Sequence, residues 1–475
     1  MTSRDHNRFA AICLFCLAIM AFPAILTAVE ATSKPGPPKR LIIVSPKGFH
    51  PALVPYLEHK QKQLPTTLVA LEDVLLENGC DDPERLKRFL FNKWNQDGLS
   101  YVLLVGDADV MPVRYVTLDR IQASAFDYAF YPSDLYYGDL AKEDGTFDDW
   151  NAQKDSFHAG YFGEVRGEKN KADAVNYDDV DYFPEVSVGR WPVSDDEEVR
   201  TVVEKTMRYE NAVLSGSKPG MRRAALVSVG GWVDTRSYMD RRAKQLAPGW
   251  EIEKMYYVDR RRDDRLRAPT FREVQKVLDE GVGLAFHAGH GLDDRWEQCF
   301  TLKTLARVRN ADRLPVMFSA GCSSGRLATL PPYEPYTDAN GVEHRGTIRG
   351  EVFTSPPPPP AAYQRGGNNP TGLGEQLLRG GPDGAVAYIG CNTGSQPCAL
   401  SLMQGFTNAL AKSKDARLGD CWNEAVEFYY AREDLEYLRP TRNWYTPSVF
   451  FQAMKFMVYG DPSLVLPSAQ TAVNE

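Results

Sequence analysis

Residues 284–291 read Leu-Ala-Phe-His-Ala-Gly-His-Gly, an apolar run that ends in two histidines three residues apart. Farther on, residues 314–325 read Leu-Pro-Val-Met-Phe-Ser-Ala-Gly-Cys-Ser-Ser-Gly, a second apolar run that ends in a cysteine among small residues. A cysteine attacks a carbonyl as its thiolate, and its partner must be able to protonate a leaving amine. Cys322 and His290 have those chemistries. Gly291 removes a side chain beside the imidazole, so its backbone N–H and that of Cys322 can form an oxyanion hole. Two plainer readings stand beside this one. A buried free cysteine at a strand end and a histidine serving local hydrogen bonds are common structural features. Zinc ligation by His287, His290, Cys299 and Cys322 has the right ligand types, but the spacing matches no compact zinc site. His287 is expected to be a structural neighbour.

Both runs read as buried parallel strands, because they are short, apolar and closed by small residues. In an open parallel sheet, chemistry sits beyond the carboxyl ends of the strands. If the two strands are neighbours, His290 and Cys322 meet on that edge, with residues 301–310 as the crossover. Further strands are expected at 41–45, 66–71, 101–105, 223–229 and 384–390. Helices are expected at 51–63, 83–95, 195–209, 238–246 and 271–279. This alternation describes an α/β protein with a doubly wound sheet.

Composition sets the limits. The chain has 475 residues, of which 43% are hydrophobic and 25% charged, and carries a net charge of −8. That is a folded protein without the basic surface a nucleic-acid binder needs. The one basic run, Arg260-Arg261-Arg262, is followed at once by Asp263-Asp264. Residues 1–31 combine early positive charge, an apolar stretch and small residues, as in an export signal or an uncleaved anchor, so membrane contact is expected only if that segment is retained. Residues 32–40 read as a linker, 41–220 as a first α/β unit, 221–467 as a second and 468–475 as a tail. Export permits disulfides, and Cys391 with Cys398 could close a small loop.

Two stretches interrupt the alternation. Residues 124–181 are rich in Tyr, Asp and Gly and read as a structured acidic excursion. Within it, Asp134, Asp144, Asp148 and Asp149 beside Gly145 offer hard oxygen ligands of the kind calcium takes, though not at EF-hand spacing. Residues 326–370 form a Pro/Gly/polar insertion directly after the Cys322 strand, with no regular element expected. Its place suits a lid, a specificity wall or an inhibitory flap, and equally a surface loop.

The stretches YVLLVGDADVMP, PSDLYYGDL, PEVSVGRWPVSDDEEVRTVVEKTMRYE, GHG followed by W, LPVMFSAGCSSG and YGDPSLVL occur in one order from about residue 41 to 467. A block ending in His-Gly followed by one ending in Cys resembles the clan of caspases, legumains and gingipains, and the six stretches together resemble gingipains. The resemblance implies a caspase-like fold of two side-by-side subdomains with mostly parallel sheets and helices on both faces. It also implies an exported cysteine endopeptidase, acting on protein or peptide, with Cys322 as nucleophile and His290 as general acid/base. No cofactor is implied for the chemistry; relatives of this kind carry structural calcium, which the four carboxylates could hold, and equally they could be solvated. Arginine-specific members carry a glutamate just beyond the strand matching Leu226–Val229; here that position is Gly230. The pocket acid for a basic substrate side chain is then sought at Asp234, Asp293 or Asp294, with a solvated loop the plainer reading for each. A transpeptidase with the same dyad, or a non-catalytic adhesion or scaffold member, are the other expectations.

Overall fold

The computed structural model describes residues 38–120, 128–154, 158–216, 221–258, 268–347, 351–364, 372–442 and 445–467. The proposed signal or anchor and the tail lie outside the described residues. Ten strands make the main sheet, in chain order β1 (Arg40–Ser45), β2 (Thr66–Ala70), β3 (Leu99–Val105), β4 (Ser187–Trp191) and β5 (Arg223–Ser228), then β6 (Glu251–Tyr256), β7 (Leu284–Ala288), β8 (Val316–Ser319), β9 (Ala387–Cys391) and β10 (Phe456–Tyr459). Their spatial order is β2-β1-β3-β4-β10-β9-β8-β7-β5-β6.

Alternation along each strand divides the core between the two faces. Ile42, Val44, Val102 and Leu104 pack into one apolar cluster, and Leu41, Ile43, Tyr101 and Leu103 into the other. Both faces are covered by helices, which is why these strands read as continuous apolar runs rather than as alternating ones. The helices start where local caps allow. The Asp195 carboxylate, for example, accepts the N–H groups of Glu197 and Glu198 at 2.9 Å each and opens the helix Asp196–Leu214.

The two expected α/β units are halves of one continuous sheet, and the seam is the last of the described strands. β10 is antiparallel to β9 and pairs with β4 in parallel through Tyr459 and Arg190. The strands of the two halves therefore point in opposite directions, and only the C-terminal half directs its strand ends toward His290 and Cys322.

Three regions differ from the sequence reading. Helices Ala399–Lys412 and Leu418–Arg432 have no counterpart among the expected elements. They pack so closely that a Cβ on Gly405 would lie 2.7 Å from Ala425 Cα; the same glycine weakens the helical signal in sequence. The acidic excursion starts earlier than expected, in a three-stranded sheet of Tyr115–Asp119, Tyr128–Pro132 and Phe162–Val165. Its apolar content is aromatic, with Tyr131, Tyr136, Tyr137 and Trp150 buried, so it lacks the aliphatic runs that announce strands. The insertion does form regular structure, a short hairpin pairing Tyr336–Thr337 with Glu343–His344. The described part of it lies against the N-terminal half: Phe130 N–H donates to Pro331 O and Val113 N–H to Ala362 O, both at 2.9 Å, and the Tyr161 hydroxyl to Pro357 O at 2.8 Å.

Candidate active site

β7 and β8 are adjacent and parallel, paired from Leu284 with Val316 to His287 with Ser319. His290 and Cys322 each lie three residues past that last pair, so the register alone brings them to the same level beyond the sheet. The loops that carry them touch. A Cβ on Gly291 would stand 2.6 Å from Cys322 O, and one on Gly321 would stand 3.1 Å from Gly291 N. Only glycine permits that approach. The chain then turns sharply: Ser323 takes a left-handed φ of 51° and donates its N–H to Thr393 O at 2.8 Å. Cys322 and His290 are both half-buried.

The thiol has partners in the loop that follows β9. Ser395 N–H donates to Cys322 Sγ at 3.2 Å, and the Cys322 S–H faces Ser395 O at 3.6 Å. The loop is braced by Gln452, whose Nε2 donates to Ser395 Oγ at 3.2 Å and whose Oε1 accepts Gln396 N–H at 3.1 Å. On the other side, His290 Nε2 donates to Gly231 O at 2.9 Å. A carbonyl only accepts, so Nε2 carries the proton of the neutral ring and Nδ1 is the basic nitrogen. Gly230 packs against the Tyr257 ring. The group that orients His290 is thus the backbone carbonyl of the next residue.

His287 has a different role. It is fully buried, lies flat against Trp296 (ring centroids 4.5 Å apart, planes 3° apart), and shares a 2.8 Å hydrogen bond through Nδ1 with Ser319 Oγ. The same hydroxyl accepts Gly321 N–H at 3.1 Å and Ser324 Oγ–H at 3.0 Å, which ties the floor of the Cys322 loop to β8. Burial, with a smaller contribution from His290, pulls the His287 pKa down to about 3. Among the described residues, no group of three His, Cys, Asp or Glu side chains is placed to hold a metal ion.

Each candidate pocket acid lies beside an arginine. Asp234 grips Arg236 at 2.9 and 2.7 Å, and hydrogen bonding from that guanidinium holds its carboxyl well below the usual range. Asp294 accepts Arg295 Nε at 2.7 Å, and Asp293 lies 3.8 Å from Arg326. The four carboxylates considered for calcium have separate partners. Asp134 is buried against Arg190 at 2.7 and 2.8 Å. Asp144 is exposed and holds the Thr146 turn, with its N–H at 2.9 Å. Asp148 accepts Trp150 N–H at 3.1 Å, and Asp149 is ion-paired with Lys154. None of the six described cysteines is in a disulfide, so the small loop from Cys391 to Cys398 is not closed by a bridge.

Sequence reasoning missed the Gly231 carbonyl, Ser395 and Gln452. The first and the Ser395 N–H are backbone groups, which carry no residue-type signal. Gln452 comes from the far end of the chain.

A ten-stranded α/β sheet with a cysteine and a histidine on adjacent strand ends defines a caspase-like fold. The chain belongs to peptidase family C25, whose model matches residues 34–467. It is 20% identical over 291 residues to gingipain R2 of Porphyromonas gingivalis (strain ATCC BAA-308 / W83), a match that covers 60% of this chain and 32% of that relative's length. The complex of the pro- and mature domains of P. gingivalis RgpB superposes with a TM-score of 0.59 at 17% identity, over 90% of this chain and 79% of that one. The Arg-specific cysteine proteinase gingipain R superposes with the same TM-score and identity, over 90% and 78%.

Proposed function

We propose that this chain is an exported cysteine endopeptidase in which Cys322 is the nucleophile and His290 the general acid/base. The observation that carries the reading is the matched register, which sets both residues three positions past one cross-strand pair on touching loops. Cys322 passes its thiol proton to His290 Nδ1, Sγ attacks the scissile carbonyl, and the developing oxyanion is held by the N–H groups of Gly291 and Cys322. The imidazolium, its Nε2–H retained by Gly231 O, protonates the leaving amine from Nδ1. The same nitrogen then takes a proton from water, which releases the acyl group and restores the thiol. Export is supported by the apolar N-terminal segment.

Cleavage after a basic residue, Arg above all, is supported by the likeness of the fold to the Arg-specific cysteine proteinase gingipain R. Here Asp234, Asp293 and Asp294 sit beside Arg236, Arg326 and Arg295, so a basic substrate side chain would have to compete with a resident guanidinium for any of them. A peptide-library cleavage profile tests activity and specificity together. The expected result is endoproteolysis that disappears in both Cys322→Ala and His290→Ala; full activity in Cys322→Ala would overturn the reading.

A further inference from the structure

Lys455 closes the short turn Ala453–Lys455 that leads into β10. Its side chain is only 2% exposed. The ammonium donates to Gly394 O and lies 4.3 Å from the centroid of the Phe451 ring, while its backbone carbonyl accepts Asn392 N–H at 2.8 Å. It thereby holds both ends of the segment 392–394 that immediately precedes Ser395, the residue whose N–H reaches Cys322 Sγ.

A buried cation needs a counter-charge or a full set of acceptors. Lys60, equally buried, has Glu210 at 2.8 Å and Asp461 at 3.0 Å. Lys205 donates to three carbonyls, Leu377 O and Asp383 O at 2.7 Å and Leu378 O at 2.8 Å. Among the described residues, Lys455 has no carboxylate partner. Of the ionisable groups around it, the thiols of Cys391 and Cys398 act on it most strongly, then the cationic Arg120, hydrogen-bonded to the Tyr131 hydroxyl, and then Cys322, which it reaches through Gly394 and the Ser395 N–H. Two of those thiols are unsuited to become the anion. Cys391 is fully buried, which pushes its pKa up to about 12, and Cys398 is only 7% exposed. Cys322 is half-exposed, accepts the Ser395 N–H, and sits on the loop that touches the His290 loop.

Resting on the reading of Cys322 as the nucleophile, we propose that Lys455 is a positioning residue that fixes the Gly394–Ser395 turn against Sγ and supplies the positive potential that favours the Cys322 thiolate. On ionisation the Cys322 proton passes to His290 Nδ1 or to water, and the S⁻ left behind becomes the anion that the buried ammonium otherwise lacks. The Ser395 N–H contributes a charge-assisted hydrogen bond to that sulfur.

The test is the pH dependence of Cys322 alkylation by iodoacetamide, read on the Cys322 peptide by mass, with Cys322→Ala as the blank. In Lys455→Met the midpoint is expected to rise by about one pH unit, so that the rate on the acid side falls about tenfold; Lys455→Arg, which keeps the charge, retains the wild-type midpoint. An unchanged midpoint in a Lys455→Met protein with native circular dichroism would overturn the proposal. Should Lys455→Met not fold, the coupling is read from the other side by NMR titration of the ¹³C-labelled Lys455 ε-methylene. Loss of the Cys322 thiolate in Cys322→Ala should lower the pH at which the ammonium titrates, and identical titration in both proteins would overturn the proposal. Alkylation needs no peptide substrate, so the two ideas separate. A cleaving wild type with an unshifted Lys455→Met sinks the lysine alone, whereas a non-cleaving wild type with a Lys455-dependent thiol sinks the peptidase reading.

Discussion

Beyond β3 and β4, in the N-terminal half of the sheet, buried charge is met by opposite charge. Arg190 is locked to Asp134 at 2.7 and 2.8 Å and also donates to Gly106 O and Pro112 O at 3.0 and 3.1 Å; Arg379 reaches Asp107 at 2.9 Å. Beyond β7 and β8, in the C-terminal half, the loops are built from Gly289, Gly291 and Gly321, and the buried Lys455 behind them donates to the Gly394 carbonyl, with no carboxylate partner among the described residues. The sheet is continuous, but one set of strand ends is filled by ion pairs and the other is left open around a sulfur and an imidazole. Closed ends hold the fold, and open ends leave room for a substrate backbone.

Mutations on the two sides should separate cleanly. The largest effect is expected on the open side. Cys322→Ala should lower kcat/KM by about 10³-fold or more, as loss of a nucleophile does, with the melting temperature close to that of the wild type because the side chain is small and half-exposed. On the closed side, Asp134→Ala leaves Arg190 buried without its anion and should cost about 3–5 kcal/mol in denaturant unfolding. Catalytic constants of the molecules still folded should not change. If Asp134→Ala instead reduced kcat while leaving stability intact, the contrast between the halves would be broken.

The two histidines sharpen the same comparison within one loop. His287→Ala removes a buried ring stacked on Trp296 and should cost about 3 kcal/mol, as truncation of a buried aromatic does, whereas His290→Ala should remove cleavage with little change in stability. His287 also adds a pH term. Its folded pKa, about 3, lies below the ordinary value of 6.5, so the unfolded chain binds the extra proton between those values and stability falls as pH drops through that window.

The smallest effect is expected in the insertion. His344 is clasped by Asp338 Oδ2 at 2.8 Å and Glu351 Oε1 at 2.7 Å, with its ring stacked on Tyr336. Although burial opposes it, hydrogen bonding to the two carboxylates raises the His344 pKa, while the hydrogen bonds from His344 lower those of Asp338 and Glu351. The histidine contribution is full below about 6.5 and is lost as pH rises through its raised folded value; the carboxylate contributions are full above about 4.5 and are lost as pH falls. Hydrogen exchange of residues 336–344 should therefore be slowest between about pH 4.5 and 6.5. A pH-independent exchange profile, after correction for intrinsic rates, would remove the clasp.

His290 and Cys322 were legible in the sequence because each sits at the end of a short apolar run, and that signal is local. The alternating α/β order was legible for the same reason. The seam was not, since β10 lies far along the chain from β4 and its position between β4 and β9 is a fact of topology. Lys455 and Gln452 travel with it, so their approach to Cys322 has no spacing to betray it. Gly231 acts through its carbonyl, which every residue has. The helix at 399–412 was obscured by Gly405, whose value lies in the contact with Ala425 of the helix at 418–432. The insertion, proline-rich and polar, is held by backbone hydrogen bonds to the other half of the molecule, and those leave no periodic trace.

The most direct test of the Cys322–His290 account is covalent capture. Intact-protein and peptide mass spectrometry after treatment with a peptidyl acyloxymethyl ketone should show one adduct, on Cys322, slowed strongly in His290→Ala and absent in Cys322→Ala. An adduct on Cys80, Cys299 or another thiol, or undiminished labelling without His290, would contradict it.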